Sequence, residues 1–508
     1  MKKITGILFL FFGLMYTRHV GAQSPYQETY RPQVHFTPKA HWMNDPNGLV
    51  FYKGVYHMFF QYYAGSSVWG PNSWGHAVST DLIHWKELEP ALAPDSLGLI
   101  ASGSAVVDAK NTSGFGRPGQ TPIVAIYAYI NQELEKKNIN AQYQAIAYSL
   151  DETKTWTKYP GNPVVKNPGI RDFRDPKVIW YAEQNKWVMT VATQDHVTYY
   201  SSPNLKEWKK ESEFGKTNGA HTGVWECPDL IYFEDHGKKI WVQIVSINPG
   251  GPNGGSATQY FVGDFNGSAF TPFDTATKWI DYGTDDYAGV TWSNTGNRRI
   301  FLGWMSNWDY ATVVPTEIWR SSMTIPRELN IKKTGNSYLL SSTPVKELDL
   351  INEKPQILSH VSAGREVNLS AALAGKTSHY KLKILSDEIK DFSLVLSNNQ
   401  GEELMIGFDP AANQFYVDRT RSGKIAFSEH FPKMIRAPRL SKEKNTDLVF
   451  VVDDTSVELF ADDGQTVMTV IFFPNQRMEN ISLKSTQGFV ANKIEFNPLR
   501  AIWNDELK

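Results

Sequence analysis

Paired runs of β-forming residues, each pair joined by a short polar or Gly-containing turn, recur through the first two thirds of this chain. "LVFYKGVYHMFFQYY", "KVIWYAEQNKWVMTVAT", "LIYFEDHGKKIWVQIVS" and "NRRIFLGWMSNW" each read as a β-hairpin. Long amphipathic helical periods are scarce. A second repeat follows the hairpins. "WGHAVSTDLIHW", "QAIAYSLDETKTW" and "HVTYYSSPNLKEW" each run from a strand through a serine and a polar turn to a tryptophan, at Trp85, Trp156 and Trp208. Imperfect repeats of about fifty to seventy residues, each with about four strands, are the pattern of propeller blades. The spacing predicts an all-β chain whose residues 30–345 form a five-bladed β-propeller. A pair of β-sandwiches with coincidental turns is the competing architecture, and the recurring tryptophan speaks against it.

Past "SSTPVKELDLINEKPQILS" the texture changes. "HYKLKILSDEI", "FSLVLSNNQGEELMIGFD" and "TDLVFVVDDTSVELFADDGQTVMTVIFF" alternate apolar and polar residues without a cluster of catalytic type, so residues 358–508 are expected to form a C-terminal β-sandwich.

Three strands open on a carboxylate at or near a proline: "WMNDPNG" at Asp45, "FRDP" at Asp175 and "WECPDL" at Glu226. Proline fixes its own φ and holds the preceding residue extended, so Asp45 is held rigidly at the mouth of its strand. The recurrence suggests one structural position used three times. Innermost strands of a propeller start on one face and line a central channel, which would bring the three acids together at a funnel mouth. Crowded carboxylates raise at least one pKa, so a protonated acid can stand beside an ionised one. That pair is the equipment of glycoside hydrolysis.

Other chemistries find little support. The net charge is −2 with no long basic run, so neither nucleic acid nor an anionic membrane is an expected partner. The 12 histidines form no H-E-x-x-H, and a single cysteine rules out a Cys-rich zinc site. "NPGGPNGGSA" lacks the lysine of a phosphate loop and reads as a turn, and no G-x-S-x-G elbow is present. Cys227 can form no intramolecular disulfide and reads as a small buried filler beside Glu226. At the N-terminus, Lys2 and Lys3 precede the apolar "ITGILFLFFGLMY", and "VGAQ" offers a cleavage site after Ala22. Residues 1–22 therefore read as an export signal, giving a periplasmic or extracellular protein with no membrane attachment after its removal. An uncleaved anchor is the alternative.

"WMNDPNG", "FRDP", "WECPDL", "SGSAVVD" and "WGHAVSTDLIHW" together resemble the signature segments of glycoside hydrolase family 32, the β-fructofuranosidases. "GWMSNWDYATVVPTEIWRSSMTIPREL" resembles the exo-acting fructan hydrolases, levanases and exo-inulinases, more than invertases. The resemblance implies a propeller followed by a sandwich, a retaining mechanism and no cofactor or metal. It implies that Asp45 is the nucleophile, Glu226 the acid and then the base, and Asp175, with Arg174, the grip on the fructose hydroxyls. Asn44, Gln61, Trp69, Ser104 and Trp319 would line the fructose pocket, with Trp42 and Ser102 nearby. The expected substrates are fructans (levan, inulin) and sucrose, cleaved from the non-reducing end. Within that scheme Asn44 and free backbone N–H groups would keep Asp45 ionised, Arg174 would hold Asp175 charged, and the apolar Trp225 would suit a proton donor at Glu226. An inverting arabinan-type propeller, an endo-acting fructanase and a non-catalytic sugar-binding propeller are the competing readings.

Overall fold

The computed structural model describes residues 26–373 and 378–503. The expected export signal lies outside them. Among the described residues no helix is long and apolar enough to cross a membrane.

Five sheets, antiparallel but for a short parallel pairing of Trp319–Arg320 with the first strand, lie in succession between His41 and Pro344, and their innermost strands touch one another in a ring. These innermost strands are His41–Tyr52, Leu99–Val107, Phe173–Tyr181, Val224–Asp235 and Tyr287–Thr291, and they define blades one to five. The ring closes where Ser293 of blade five accepts from Phe51 N at 3.0 Å and donates its own N–H to Leu49 O at 2.9 Å. Both faces of each blade are covered by the next, which is why the strands read as apolar runs rather than strict alternations. Phe59, Trp74 and Tyr127 fill the space between blades one and two; Tyr199, Trp225 and Phe261 fill that between three and four. Each large apolar side chain so buried contributes about 1.5–3 kcal/mol, which holds the ring without any crosslink.

The tryptophan repeat is a turn. In blade one Ser79 Oγ donates to Asp81 Oδ1 at 3.0 Å, Asp81 accepts from the Ile83 and His84 N–H groups, and Trp85 Nε1 donates to Leu82 O at 2.9 Å. Ser202, Asn204, Leu205 and Trp208 repeat it in blade three, with the same 2.9 Å indole bond. Leu82 and Leu205 both adopt positive φ, +67° and +64°, at the matching place.

A short helical turn, Lys346–Ile351, leads into two six-stranded sheets packed face to face. Tyr380–Ser386 shows the strict in–out alternation of a sheet with one solvated face, and Leu382, Ile384, Leu394, Ile406, Phe450 and Leu459 form the core between the sheets. The fold is the five-bladed propeller and β-sandwich that the hairpin repeats predict.

Candidate active site

Every innermost strand carries a β-bulge near its start, and that of blade one carries a second, at Asn47–Val50. Met43 to Pro46 opposes Tyr62 to Phe60 in blade one; Ile100 to Gly103 opposes Tyr129 to Tyr127 in blade two. The same slip falls at Arg174–Lys177, Glu226–Asp229 and Tyr287–Val290. A bulge leaves residues unpaired and re-aims their side chains. Asp175, Cys227 and Ala288, the first unpaired residue in blades three to five, adopt positive φ of +62°, +46° and +53°. For non-glycine residues this backbone is costly and is held in place by the surrounding ring.

The bulges correct one expectation. Glu226 is the last paired residue before its bulge, Asp175 the first unpaired one, and Asp45 the second. The three acids therefore occupy three successive register positions, not one position repeated. The register also explains their contacts. Arg174, Glu226 and Tyr287 hold the same position in adjacent blades and form a row across them. Arg174 Nη2 donates to Glu226 Oε1 at 2.7 Å, and the Tyr287 hydroxyl donates to Glu226 Oε2.

Asp45 is held by neighbours from two strands: Ser102 Oγ of blade two donates to Oδ2 at 2.7 Å, and Asn44 Nδ2 donates to Oδ1 at 3.0 Å. Side-chain donors, not the free backbone N–H groups expected, hold it. Burial nevertheless pushes Asp45 up to about 6, and the charge of Glu226 adds to the rise. Asp175 accepts from Cys227 N at 3.0 Å, and its Oδ2 stands 3.9 Å from Arg174 Nε. Burial pushes Asp175 up to about 7, against Arg174 and with help from Glu226 and Asp45. Arg174 therefore does not hold Asp175 as a low-pKa carboxylate; its short pairs go to Asp172 and Glu226, both at 2.7 Å. Cys227 Sγ lies 3.7 Å from Asp45 Oδ2 and 3.6 Å from Asp175 Oδ2, and burial and those charges push its thiol far up. It is a weak donor between two acids, not a nucleophile.

The other expected residues divide. Trp42 is fully buried and donates Nε1 to Asn44 Oδ1 at 2.7 Å, which aims the Asn44 amide at Asp45. Gln61 reaches Ser102 Oγ at 3.4 Å, and Trp69, 40% exposed, stands at the surface. Ser104 is engaged elsewhere: its hydroxyl donates to Pro176 O at 3.0 Å and accepts from Val178 N at 3.1 Å, tying blade two to blade three. Trp319 is 4% exposed, packed among core residues with the Arg31 guanidinium 4.3 Å from its ring centre. It packs as a core aromatic, whereas the resemblance implies a residue lining the fructose pocket. Trp225 points into the core between blades three and four, stacked on Phe261, and does not face Glu226.

Two features escaped sequence reasoning. Tyr287 opens the innermost strand of blade five without any acid or proline to mark it; only the run "DYAGV" at the blade spacing could have pointed there. Below the acids, Lys177 Nζ donates to Asp229 Oδ2 at 2.9 Å and to Thr291 O at 2.5 Å, and Thr291 N donates to the same Asp229 oxygen at 2.6 Å. All three are buried, and the knot ties the innermost strands of blades three, four and five together. Among the described residues one group, His379, Asp453 and Asp454 in the sandwich, brings ligand-type atoms close enough for a metal ion; Asp453 there already accepts from His35 and backbone N–H groups.

Comparison with known proteins agrees with this geometry. The glycosyl hydrolases family 32 N-terminal domain matches residues 35–343, and the family 32 C-terminal domain matches residues 347–501. A levanase of Bacillus subtilis (strain 168) is 43% identical over 99% of this chain and 76% of its own length. An extracellular exo-inulinase of Aspergillus awamori is 38% identical over 98% of each chain. The crystal structure of the A. awamori exo-inulinase superposes with a TM-score of 0.85 over 94% of this chain and all of that one, at 35% identity. A Schwanniomyces occidentalis β-fructofuranosidase complexed with fructosyl-erythritol gives 0.84 over 94% of this chain and 99% of that one, at 33%. With matches to both domain models, over residues 35–343 and 347–501, this protein is a member of glycoside hydrolase family 32 and a glycosidase.

Proposed function

We propose that this chain is an exported, retaining exo-β-fructosidase that releases terminal β-D-fructofuranosyl units from levan, inulin and sucrose. The observation that carries this reading is the meeting of Asp45, Asp175 and Glu226, from the innermost strands of three blades. Relatives named levanase, exo-inulinase and invertase supply the substrate class.

In this reading Asp45 attacks the anomeric carbon while the glycosidic C–O bond breaks, and the departing oxygen takes its proton from Glu226. Water then enters. Glu226 accepts a proton from it, the hydroxide oxygen bonds to the same carbon, and Asp45 leaves as carboxylate. Two displacements at one centre retain configuration. Asp175 grips the fructose hydroxyls, and Arg174 supplies the positive charge that keeps three acids tolerable in one funnel. Asn44 and Ser102 hold the attacking carboxylate, with Gln61 behind Ser102, while Trp69 offers an apolar face at the surface.

Early-time chromatography on levan, inulin and sucrose tests the exo assignment. Free fructose is expected from the first minutes, and a ladder of short oligomers before any fructose would mean an open, endo-acting cleft. Proton NMR of the first product tests retention, since an inverted anomer favours the arabinan-type reading. Mass spectrometry of the mature chain is expected to begin at Gln23; an intact Met1 in a membrane fraction would overturn export by a cleaved signal.

A further inference from the structure

The sandwich grips the segment that leads into Tyr287. Asp285 and Asp286, the two residues before it, are each held by a buried arginine. Arg419 of the sandwich donates Nη1 to Asp285 Oδ2 at 2.9 Å, and the sandwich's Ile471 N donates to the same oxygen at 3.1 Å. Tyr310 OH donates to Asp285 Oδ1 at 2.5 Å and accepts from Arg419 Nη2 at 3.0 Å. Asp286 Oδ2 accepts from Arg327 Nη1 at 2.8 Å, and the same nitrogen reaches Asp281 Oδ2 at 2.9 Å. Arg327 belongs to blade five, but its other side is fixed by the sandwich. Nε donates to Glu458 Oε2 at 3.1 Å, and Nη2 donates to Glu458 and, at 2.5 Å, to Thr469 Oγ1. Glu458 is itself held at Oε1 by His35 Nε2 and Ile325 N, both at 2.9 Å.

This is more order than a covering domain needs. Removing one partner from a buried ion cluster is costly because it strands the others. One peptide bond beyond it, the Tyr287 hydroxyl touches Glu226. We propose that the C-terminal sandwich positions Glu226 through this clamp: Glu458, Thr469 and Arg419 fix Arg327, Asp286 and Asp285, and these fix the Tyr287 hydroxyl on the Glu226 carboxylate. Glu458, Thr469 and Arg419 are positioning residues for the catalytic reaction. The inference rests on Glu226 being the proton donor.

The consequence is a pH signature. Glu226 faces Tyr287 from blade five, Arg174 and Asp175 from blade three, and Asp45 from blade one. A hydrogen bond donated to a carboxylate favours its charged form. Loosening Tyr287 removes one such donor, so the acid holds its proton to higher pH and the alkaline limb of kcat/KM moves up. Arg327, Asp281, Glu458 and His35 surround the clamp, and Asp286 within it is pushed up to about 8 by burial. The limb is therefore compared only among variants that keep Asp286.

The experiment is the pH profile of kcat/KM on sucrose for the full chain, with thermal unfolding recorded beside it. Tyr287→Phe, Glu458→Gln and the uncharged, nearly isosteric Thr469→Val are each expected to raise the alkaline limb, Tyr287→Phe by about one pH unit and the other two by a fraction of that. If Tyr287→Phe leaves the limb unmoved, the reading of Glu226 as proton donor falls. If Tyr287→Phe moves it while Thr469→Val, and Glu458→Gln where it folds, only lower the unfolding temperature, the clamp is structural alone and this inference is overturned.

Discussion

Arg174 Nη2 lies 2.7 Å from Glu226 Oε1, whereas Asp175, its neighbour in the chain, comes no nearer than 3.9 Å, between Arg174 Nε and Asp175 Oδ2. The guanidinium thus spans blades three and four and serves the acid of the next blade more closely than the acid beside it. The planar fork also holds Asp172 at 2.7 Å, a geometry that a lysine ammonium cannot reproduce. Arg174→Lys is expected to lower kcat/KM on sucrose by about 10²-fold, chiefly through kcat. A rise in KM with kcat unchanged would assign Arg174 to substrate binding alone.

As the proposed nucleophile, Asp45 would have to be ionised to attack, and burial places its titration at about 6. The acid limb of kcat/KM is expected near that pH, with activity lost as the pH falls through it. Ser102 donates to Asp45 and so lowers its pKa. Ser102→Ala is expected to move the acid limb upward and to leave the alkaline limb in place. Asp45→Asn is expected to abolish turnover with the far-UV circular dichroism unchanged; residual turnover within about tenfold of the parent would remove Asp45 from the nucleophile's role.

Two tryptophans that look alike in the sequence are expected to behave oppositely. Trp69 is 40% exposed and Trp319 is 4% exposed beneath the Arg31 guanidinium. Trp69→Ala is expected to raise KM for levan and inulin with little change in unfolding temperature. Trp319→Ala creates a core void and strands a stacked cation, costing about 3–5 kcal/mol. Urea unfolding of both variants separates the roles, and an equal stability loss in the two would contradict the division.

What was legible in the sequence depended on how local its cause was. Hairpins, the serine-to-tryptophan turns and the acid–proline strand openings are set by residues a few positions apart, so the propeller and its three acids could be read directly. The registers of those acids could not. They depend on a bulge in each innermost strand, and a bulge is defined by the partner strand as much as by its own residues. Trp225 illustrates the limit. Its place beside Glu226 suggested a shared environment, but successive strand residues face opposite ways and the indole lies in the inter-blade core. Ser104 and Trp319 matched signature segments, yet a segment does not say which of its side chains faces the funnel. Tyr287 was invisible because its importance comes from a neighbour in another blade.

His35 bridges Asp453 at 2.7 Å and Glu458 at 2.9 Å in the buried contact between the propeller's N-terminal arm and the sandwich. Burial alone would lower its pKa, but these two acids outweigh that and push it up to about 9. The native state binds this proton more tightly than the unfolded chain, so the stabilisation is complete below about 6.5 and lost as pH rises through about 9. The unfolding temperature is expected to fall over that window. His35→Gln is expected to be less stable at pH 6 and to show a flatter decline; an unchanged slope would place the pH dependence elsewhere.

Asp175 shows what the funnel costs the fold. Burial raises it to about 7 from an ordinary value near 3.8, so the native state prefers it protonated. Its stabilisation is present below about 3.8 and lost as pH rises through about 7. At pH 8 the ionised side chain, 5% exposed and beside two other acids, is a net liability that Arg174, itself engaged with Asp172 and Glu226, offsets only in part. Asparagine has the same shape and can still accept from Cys227 N, but it carries no charge. Asp175→Asn is therefore expected to unfold at a higher temperature than the parent at pH 8, with the gap closing toward pH 4, while kcat/KM falls by at least about 10²-fold. The converse result, a variant equally destabilised at both pH values, would mean that attraction to Arg174 outweighs desolvation and that the acids sit in this funnel without strain.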